Sequence, residues 1–316
     1  MRSFPRTRFE LTCRMAVLVS VLTAASCGGG GGRDAGGSRE FALRFAAVAG
    51  GDEVGCGDKV SGFGDSGTAA VEVSDLRFYV SNVRFFTANG AEVPVELDEN
   101  AFQYTGEAGS VALVDLTATD TGACAGTGLT FAEGTARTNS VLTGTTTNAP
   151  ISRVTFDVGI PQPLMKQVLN DNTAEGAPSP LAEMHWSWAF AYRFFVMNFT
   201  VEDGSAIGEG YLHVGSTDCG GDGTRALTDR DACGKPNAAA VSLSNFDLDT
   251  DSIVVDLRAL LANLDFSVST PEATVLGVEC HSSAEQPDCP LIFGNFGLDP
   301  ATGEAAVDLN TVFAVR

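Results

Sequence analysis

The segment "VSDLRFYVSNVRFF" (residues 73–86) alternates apolar and polar side chains over much of its length. Leu76, Phe78 and Val80 are spaced two residues apart, so in an extended chain they point to one face. The dipeptide Asn89-Gly90 follows as a tight-turn signal before another extended stretch. The segment therefore predicts a long strand that leads into a hairpin.

The same pattern recurs through most of the chain. Segments of strand character, separated by clusters of Gly, Asn, Asp and Thr, are residues 41–45, 110–117, 152–160, 193–203, 208–215 and 239–248. Two segments, 163–171 and 253–264, have helical spacing instead. Many short strands with few helices predict an all-β fold, a β-sandwich or distorted barrel of short antiparallel strands with one or two short helices.

The N-terminus predicts export. Arginines precede a short apolar run, residues 15–25, and the sequence Ala24-Ala25-Ser26-Cys27 follows, which is the arrangement of a cleaved signal peptide. Those last four residues resemble a bacterial lipobox, which implies cleavage before Cys27 and acylation of that cysteine. An ordinary secreted signal peptide is the alternative.

We therefore interpret residues 1–26 as a lipoprotein signal peptide, residues 27–39 as a Gly-rich tether and residues 40–316 as the folded domain. A lipid anchor would hold the protein at the membrane without spanning it. The expected location is the periplasm or the cell surface, at the outer membrane of a Gram-negative bacterium.

The charge balance limits the classes of partner. The chain has 40 acidic and 19 basic residues, a formal net charge of −21. Such a negative field opposes binding to nucleic acid and to anionic lipid surfaces, and it is compatible with cations.

The cysteines predict disulfide-closed loops. Excluding Cys13 in the signal peptide and the lipid site, the chain has Cys56, Cys124, Cys219, Cys233, Cys280 and Cys289. An even number in an exported chain indicates disulfides. The local pairs Cys219–Cys233 and Cys280–Cys289 close short loops, which leaves the first two cysteines as a third pair. A thiolate metal site is the alternative, but no CxxC motif supports it.

Conventional enzyme motifs are absent from the sequence. It contains no nucleophile elbow, no phosphate-binding P-loop and no HExxH. The protein is therefore expected not to be an enzyme.

The segment "MHWSWAFAYRFF" (residues 184–195) concentrates side chains that could form a metal site. In a strand, Met184, Trp186 and Trp188 would share one face, and His185 would point to the other. Imidazole and thioether groups suit copper. The alternatives are core packing for the tryptophans and a position on the sheet surface for the histidine.

The other two histidines lie near the ends of predicted elements. His213 stands just before a loop in "YLHVGSTDC", a favourable place for a metal ligand. His281 adjoins Cys280 in another loop, and we interpret it as structural.

The order of motifs resembles a known family. It begins with "VGCGDKV" and "DLRFYVSNVRF", continues through "VALVDL", "VTFDVGIPQPL" and "PLAEMHWSWAFAYRF", and ends with "HVGSTDC" and "CPLIFGNFGLD". This order resembles the MbnP-like family, the four-Cys proteins of the metallo-mystery pair and of methanobactin-associated copper binding. The resemblance covers residues 40–316.

The resemblance implies copper binding at a site that includes histidine and a tryptophan oxidised to kynurenine. It also implies a dihaem partner similar to cytochrome c peroxidase and MauG, which oxidises that tryptophan. His213 falls on the histidine of the family's His-x-Gly-Ser motif, Trp186 and Trp188 on its Trp-x-Trp motif, and Met184 on the methionine before it.

One family histidine is missing, because Lys166 occupies its place. Met165 or His185 is a hypothetical substitute ligand. A surface lipoprotein that binds a protein or carbohydrate without metal is the alternative function.

Overall fold

A computed structural model describes residues 37–116, 138–171, 176–187, 191–219, 233–269 and 274–316. Its strands are β1 (Ser38–Ala49), β2 (Asp52–Glu53), β3 (Lys59–Phe63), β4 (Ala69–Phe86), β5 (Glu92–Val93), β6 (Val95–Leu97), β7 (Gln103–Gly106), β8 (Gly109–Asp115), β9 (Val141–Thr147), β10 (Arg153–Val158), β11 (His185–Ser187), β12 (Ala191–Asp203), β13 (Ala206–Gly215), β14 (Ala239–Ser244), β15 (Ile253–Asp256), β16 (Ser267–Ser269), β17 (Thr274–Cys280) and β18 (Phe313–Val315). Its helices are α1 (Gln162–Asp171), α2 (Leu257–Leu260) and α3 (Cys289–Asn295), with a 3-10 turn at Val307–Leu309.

The strands of the described ranges form two sheets. The smaller follows the order β18-β15-β1-β9-β6, and the larger follows β14-β10-β4-β12-β13-β17-β16, with shorter strands added at the sides. Buried apolar side chains from both sheets make up one core cluster. The predicted all-β sandwich is therefore confirmed.

Strand β4 is buried on both faces. Leu76, Phe78 and Val80 lie in the core shared by the two sheets. Phe78 stacks on Phe195 of β12, with ring centroids 5.8 Å apart. On the opposite face, Tyr79 belongs to a second apolar cluster that includes residues of α1. The alternation predicted a strand correctly, and both of its faces proved to be covered.

The second predicted helix was only partly correct. Residues 253–256 form strand β15, which runs parallel to β1, and the helix α2 begins only at Leu257. The β-branched run Ile253-Val254-Val255 favours an extended chain. The Asp256 side chain then caps α2 by accepting the backbone N–H of Arg258 at 2.9 Å.

Other elements agree with the prediction or add to it. Helix α1 confirms the helix predicted over residues 163–171. The pairs β1/β15 and β13/β17 are parallel, whereas only antiparallel pairing was predicted. Helix α3, which has a proline in its first turn, was not predicted. Within the described ranges, no helix is long and apolar enough to cross a membrane.

Both local disulfides are confirmed. Cys219 is bonded to Cys233, and Cys280 is bonded to Cys289. Cys56 is also disulfide-bonded. Its predicted partner, Cys124, lies outside the described residues, so that pairing stays a prediction. Residues 1–36, with the lipid site Cys27, also lie outside them.

The face of β4 that packs towards α1 carries a buried ion pair. The Arg77 guanidinium donates two hydrogen bonds to the Asp75 carboxylate, at 2.7 and 2.6 Å. Both side chains are about 1% exposed. The same strand carries a matching pair in solvent, because Arg84 donates two hydrogen bonds to Glu92 and both are half exposed.

Arg77→Met should destabilise the protein strongly. The change leaves the Asp75 carboxylate in a dry position without its guanidinium, and breaking a buried pair in this way costs about 3–5 kcal/mol. The measurement is the free energy of unfolding in urea.

Arg84→Met is the matched control, since it breaks an arginine–carboxylate pair that is exposed to solvent. We expect a much smaller loss. Equal losses in the two variants would show that burial does not govern the Arg77 pair.

Candidate metal centre

His213 lies on β13, opposite Val196 of β12. Its side chain is 4% exposed. The Nε2 atom lies 2.9 Å from the amide oxygen of Asn198. Because that oxygen can only accept, Nε2 carries the proton of the imidazole. The other ring nitrogen, Nδ1, is therefore available as a ligand atom.

His281 is brought to His213 by the parallel pairing of β13 and β17. Leu212 and Cys280 are opposite each other in this register, so the residues that follow them emerge side by side. The two Nδ1 atoms are 3.0 Å apart. The ring centroids are 4.7 Å apart. We interpreted His281 from the sequence as structural, and the structure shows that it is a direct neighbour of His213.

The turn that carries His281 is fixed at several points. Cys280, immediately before it, is bonded to Cys289 of α3. The backbone N–H of His281 donates to the side-chain oxygen of Gln286 at 2.6 Å.

Ser282, immediately after His281, ties the turn to β13. Its hydroxyl donates to the His213 carbonyl at 2.8 Å and accepts the Gly215 N–H at 2.7 Å. Ser282 has φ of +61°, a region that residues with a Cβ seldom adopt. Its two hydrogen bonds hold it there, and they fix where His281 emerges.

Trp186 contacts both histidines. Its ring lies edge-on to His213, with centroids 6.3 Å apart at 88°. It lies 6.1 Å from the His281 ring. Trp186 stands on the short strand β11, which pairs with β12. It is half-buried, so the indole lies against the imidazole pair while part of it reaches solvent.

The remaining predicted site residues lie in different places. The His185 ring packs edge-on against Tyr192, with centroids 5.3 Å apart. Met184 is fully buried in the cluster that includes α1. Met165 is in the same cluster, and its sulfur accepts the Ser216 hydroxyl at 3.8 Å. Trp188 lies outside the described residues.

Burial and nearby positive charge keep the two imidazoles neutral. Burial lowers the pKa of His213 to about 2, with further lowering by Arg193, His281 and Arg77. Burial also lowers the pKa of His281, while Glu279 opposes that shift. Glu279 Oε1 lies 3.4 Å from His281 Nε2. Neutral imidazole is the form that binds a metal ion.

The imidazoles of His213 and His281 could supply two of the ligands of a metal site. Two Nδ1 atoms at 3.0 Å cannot both direct lone pairs at each other unless a proton or a cation lies between them. Among the residues that the structure describes, no group of three or more His, Cys, Asp or Glu side chains could hold a metal ion. The histidine pair therefore needs a further ligand of another kind to form a complete site.

A groove on the sheet surface leads to the histidines. It has a volume of about 630 Å³, and its walls come from β13 and β17. Glu209, Tyr211 and Glu279 line it together with both histidines. Among the described residues, the lining includes two carboxylates and no lysine or arginine, so the groove favours the approach of a cation.

His281 could have been identified from its position beside Cys280. A disulfide restrains the backbone of the residue next to it, and a metal ligand needs a well-held position. The sequence does not reveal that β17 pairs in parallel with β13, and that pairing brings the two histidines together.

Comparisons with known proteins agree with this architecture. A family model described as MbnP matches residues 38–282, a span that includes both histidines and Trp186. The solved structure of MbnP from Methylosinus trichosporium is similar, with a TM-score of 0.66 and 27% sequence identity over 88% of this chain and 98% of that chain. A search of curated proteins finds no match. The chain belongs to the MbnP family.

Proposed function

We propose that this protein is an exported copper-binding protein with a site built on His213 and His281. The observation that carries the proposal is the convergence of their Nδ1 atoms, 3.0 Å apart, beside the Trp186 ring. Imidazole nitrogen is a good ligand for copper in either common oxidation state. The role is binding and not catalysis.

Trp186 is the proposed third participant, after oxidation. An indole has an N–H donor and no lone pair to offer a metal. Oxidative cleavage of the indole C2–C3 bond, with C2 released as formate, gives kynurenine, whose aniline-type nitrogen has a lone pair. The oxygen atoms and oxidising equivalents would come from peroxide or dioxygen activated by the haem partner. Because the Trp186 ring contacts both imidazoles, the aniline-type nitrogen would stay close to the imidazole nitrogens of His213 and His281. The missing third ligand is then a modified side chain.

The proposed oxidant is a dihaem protein of the cytochrome c peroxidase and MauG class. The half-buried position of Trp186 supports this assignment, because an electron-transfer partner can approach the exposed part of the ring. Lipid attachment through Cys27 would hold the protein in the periplasm or at the cell surface, and the proposed partner would have to act in the same compartment.

Removal of either histidine should weaken copper binding strongly. We expect His213→Ala and His281→Ala each to lower the affinity by more than about 100-fold, the upper range for loss of an outer-shell partner. The measurement is competition with chelators of known affinity, for Cu(I) and for Cu(II).

His185→Ala is the matched control, since the His185 ring packs on Tyr192. The copper affinity of His185→Ala should equal that of the unmodified protein. Unchanged binding in His213→Ala would refute the proposed site. If the unmodified protein binds no copper, the alternative function is favoured, in which a surface lipoprotein binds a protein or carbohydrate without metal.

Oxidation should occur at Trp186. When the protein is coexpressed with its dihaem partner, peptide mass spectrometry should find kynurenine at this position, since Trp186 contacts the histidine pair. Trp186→Phe should then lose most of the copper bound during expression.

Trp188→Phe is the control for this experiment and should retain the bound copper. Kynurenine at residue 188 with intact tryptophan at 186 would contradict the assignment. Unmodified tryptophan at both positions, with the active partner present, would contradict the proposed modification.

A further inference from the structure

Asn198 is a buried amide whose only side-chain hydrogen bond on the described part of the chain is to a histidine. It lies on β12 and is 0% exposed. Its oxygen accepts the Nε2–H of His213 at 2.9 Å. Its side-chain nitrogen has no hydrogen-bond partner there. Burying an amide with an unsatisfied donor lowers stability, so packing alone does not explain asparagine at this position.

We propose that Asn198 is a positioning residue that fixes His213 as the Nε2–H tautomer and so presents its Nδ1 lone pair to the metal. The inference rests on the proposed function for the identity of the metal. The tautomer itself is a property of the metal-free protein.

The number of ring protons determines which nitrogen of His213 carries a lone pair. A neutral imidazole has one ring proton, and the amide oxygen of Asn198 keeps it on Nε2 of His213. The bare Nδ1 of His213 then faces Nδ1 of His281 at 3.0 Å. In the metal-free protein, His281 must therefore donate its own Nδ1–H to His213.

Both Nδ1 atoms become ligands only if His281 moves its proton. The proton passes from Nδ1 to Nε2 of the same ring, where Glu279 Oε1 lies 3.4 Å away and can accept a hydrogen bond. The ring stays neutral, so the number of bound protons does not change. His213 needs no such change, because Asn198 has already set its tautomer.

The backbone of Asn198 is held independently of its side chain. The Ser74 hydroxyl on β4 donates to the Asn198 carbonyl at 2.9 Å. Ser74 is 0% exposed. Its loss would disturb the same place in the sheet without touching the imidazole, which makes Ser74 a control for a purely structural effect.

The experiment measures tautomers and affinity in the full chain. Nitrogen-15 NMR of labelled histidines in the metal-free protein should find His213 as Nε2–H and His281 as Nδ1–H. Asn198→Leu removes the acceptor, so the His213 tautomer should become mixed and Cu(I) affinity should fall by about 10–100-fold. Asn198→Asp keeps an acceptor and should restore both the tautomer and most of the affinity.

Ser74→Ala should lower the free energy of unfolding while leaving the tautomer and the Cu(I) affinity unchanged. Equal affinity losses in Ser74→Ala and Asn198→Leu would overturn the proposal, because the role of Asn198 would then be structural.

An Nδ1–H tautomer at His213 in the unmodified protein would overturn the proposal even if copper binds. This measurement does not depend on whether Asn198→Leu folds. A protein with Nε2–H at His213 that binds no copper would refute the proposed function and leave the orienting role of Asn198 standing.

Discussion

Burial of β4 on both faces is the constraint on which the rest of the structure depends. One face supplies Phe78 and its neighbours to the core between the sheets. The other face carries Asp75 and Arg77, which form a salt bridge that is buried from solvent. Asp75 lies opposite Asn198 of β12 in the sheet. The face with the buried charges is therefore also the face that orients His213.

This arrangement explains the electrostatic character of the site. Burial is the main reason that the pKa of His213 is lowered, and the positive charges of Arg193 and Arg77 lower it further. The imidazole therefore stays neutral near neutral pH, and its Nδ1 lone pair faces His281. The buried charge on β4 thus favours the neutral form of His213, which is the form that the proposed metal site requires.

The sequence predicted the fold well, but it did not predict which histidines lie close together. Alternation in β4 and the short loops between cysteines were local signals, and the structure confirms both. The helix predicted over residues 253–264 was wrong at its start, because pairing with β1 outweighs helical spacing in a β-branched run. His213 was predicted from its motif. The proximity of His281 to His213 was not predicted, because 68 residues separate the two and a parallel strand pair brings them together.

The disulfide between Cys280 and Cys289 adds a covalent restraint to the turn that carries His281. This disulfide joins the end of β17 to α3, so the residue after Cys280 emerges from a covalently closed turn. On the other side of His281, the Ser282 hydroxyl forms hydrogen bonds with the backbone of His213 and Gly215. A chain with reduced thiols would retain the hydrogen bonds of the turn and lose its covalent closure. Because disulfides persist in oxidising compartments, the same export that the N-terminus predicts also supplies the condition under which the two histidines are held together.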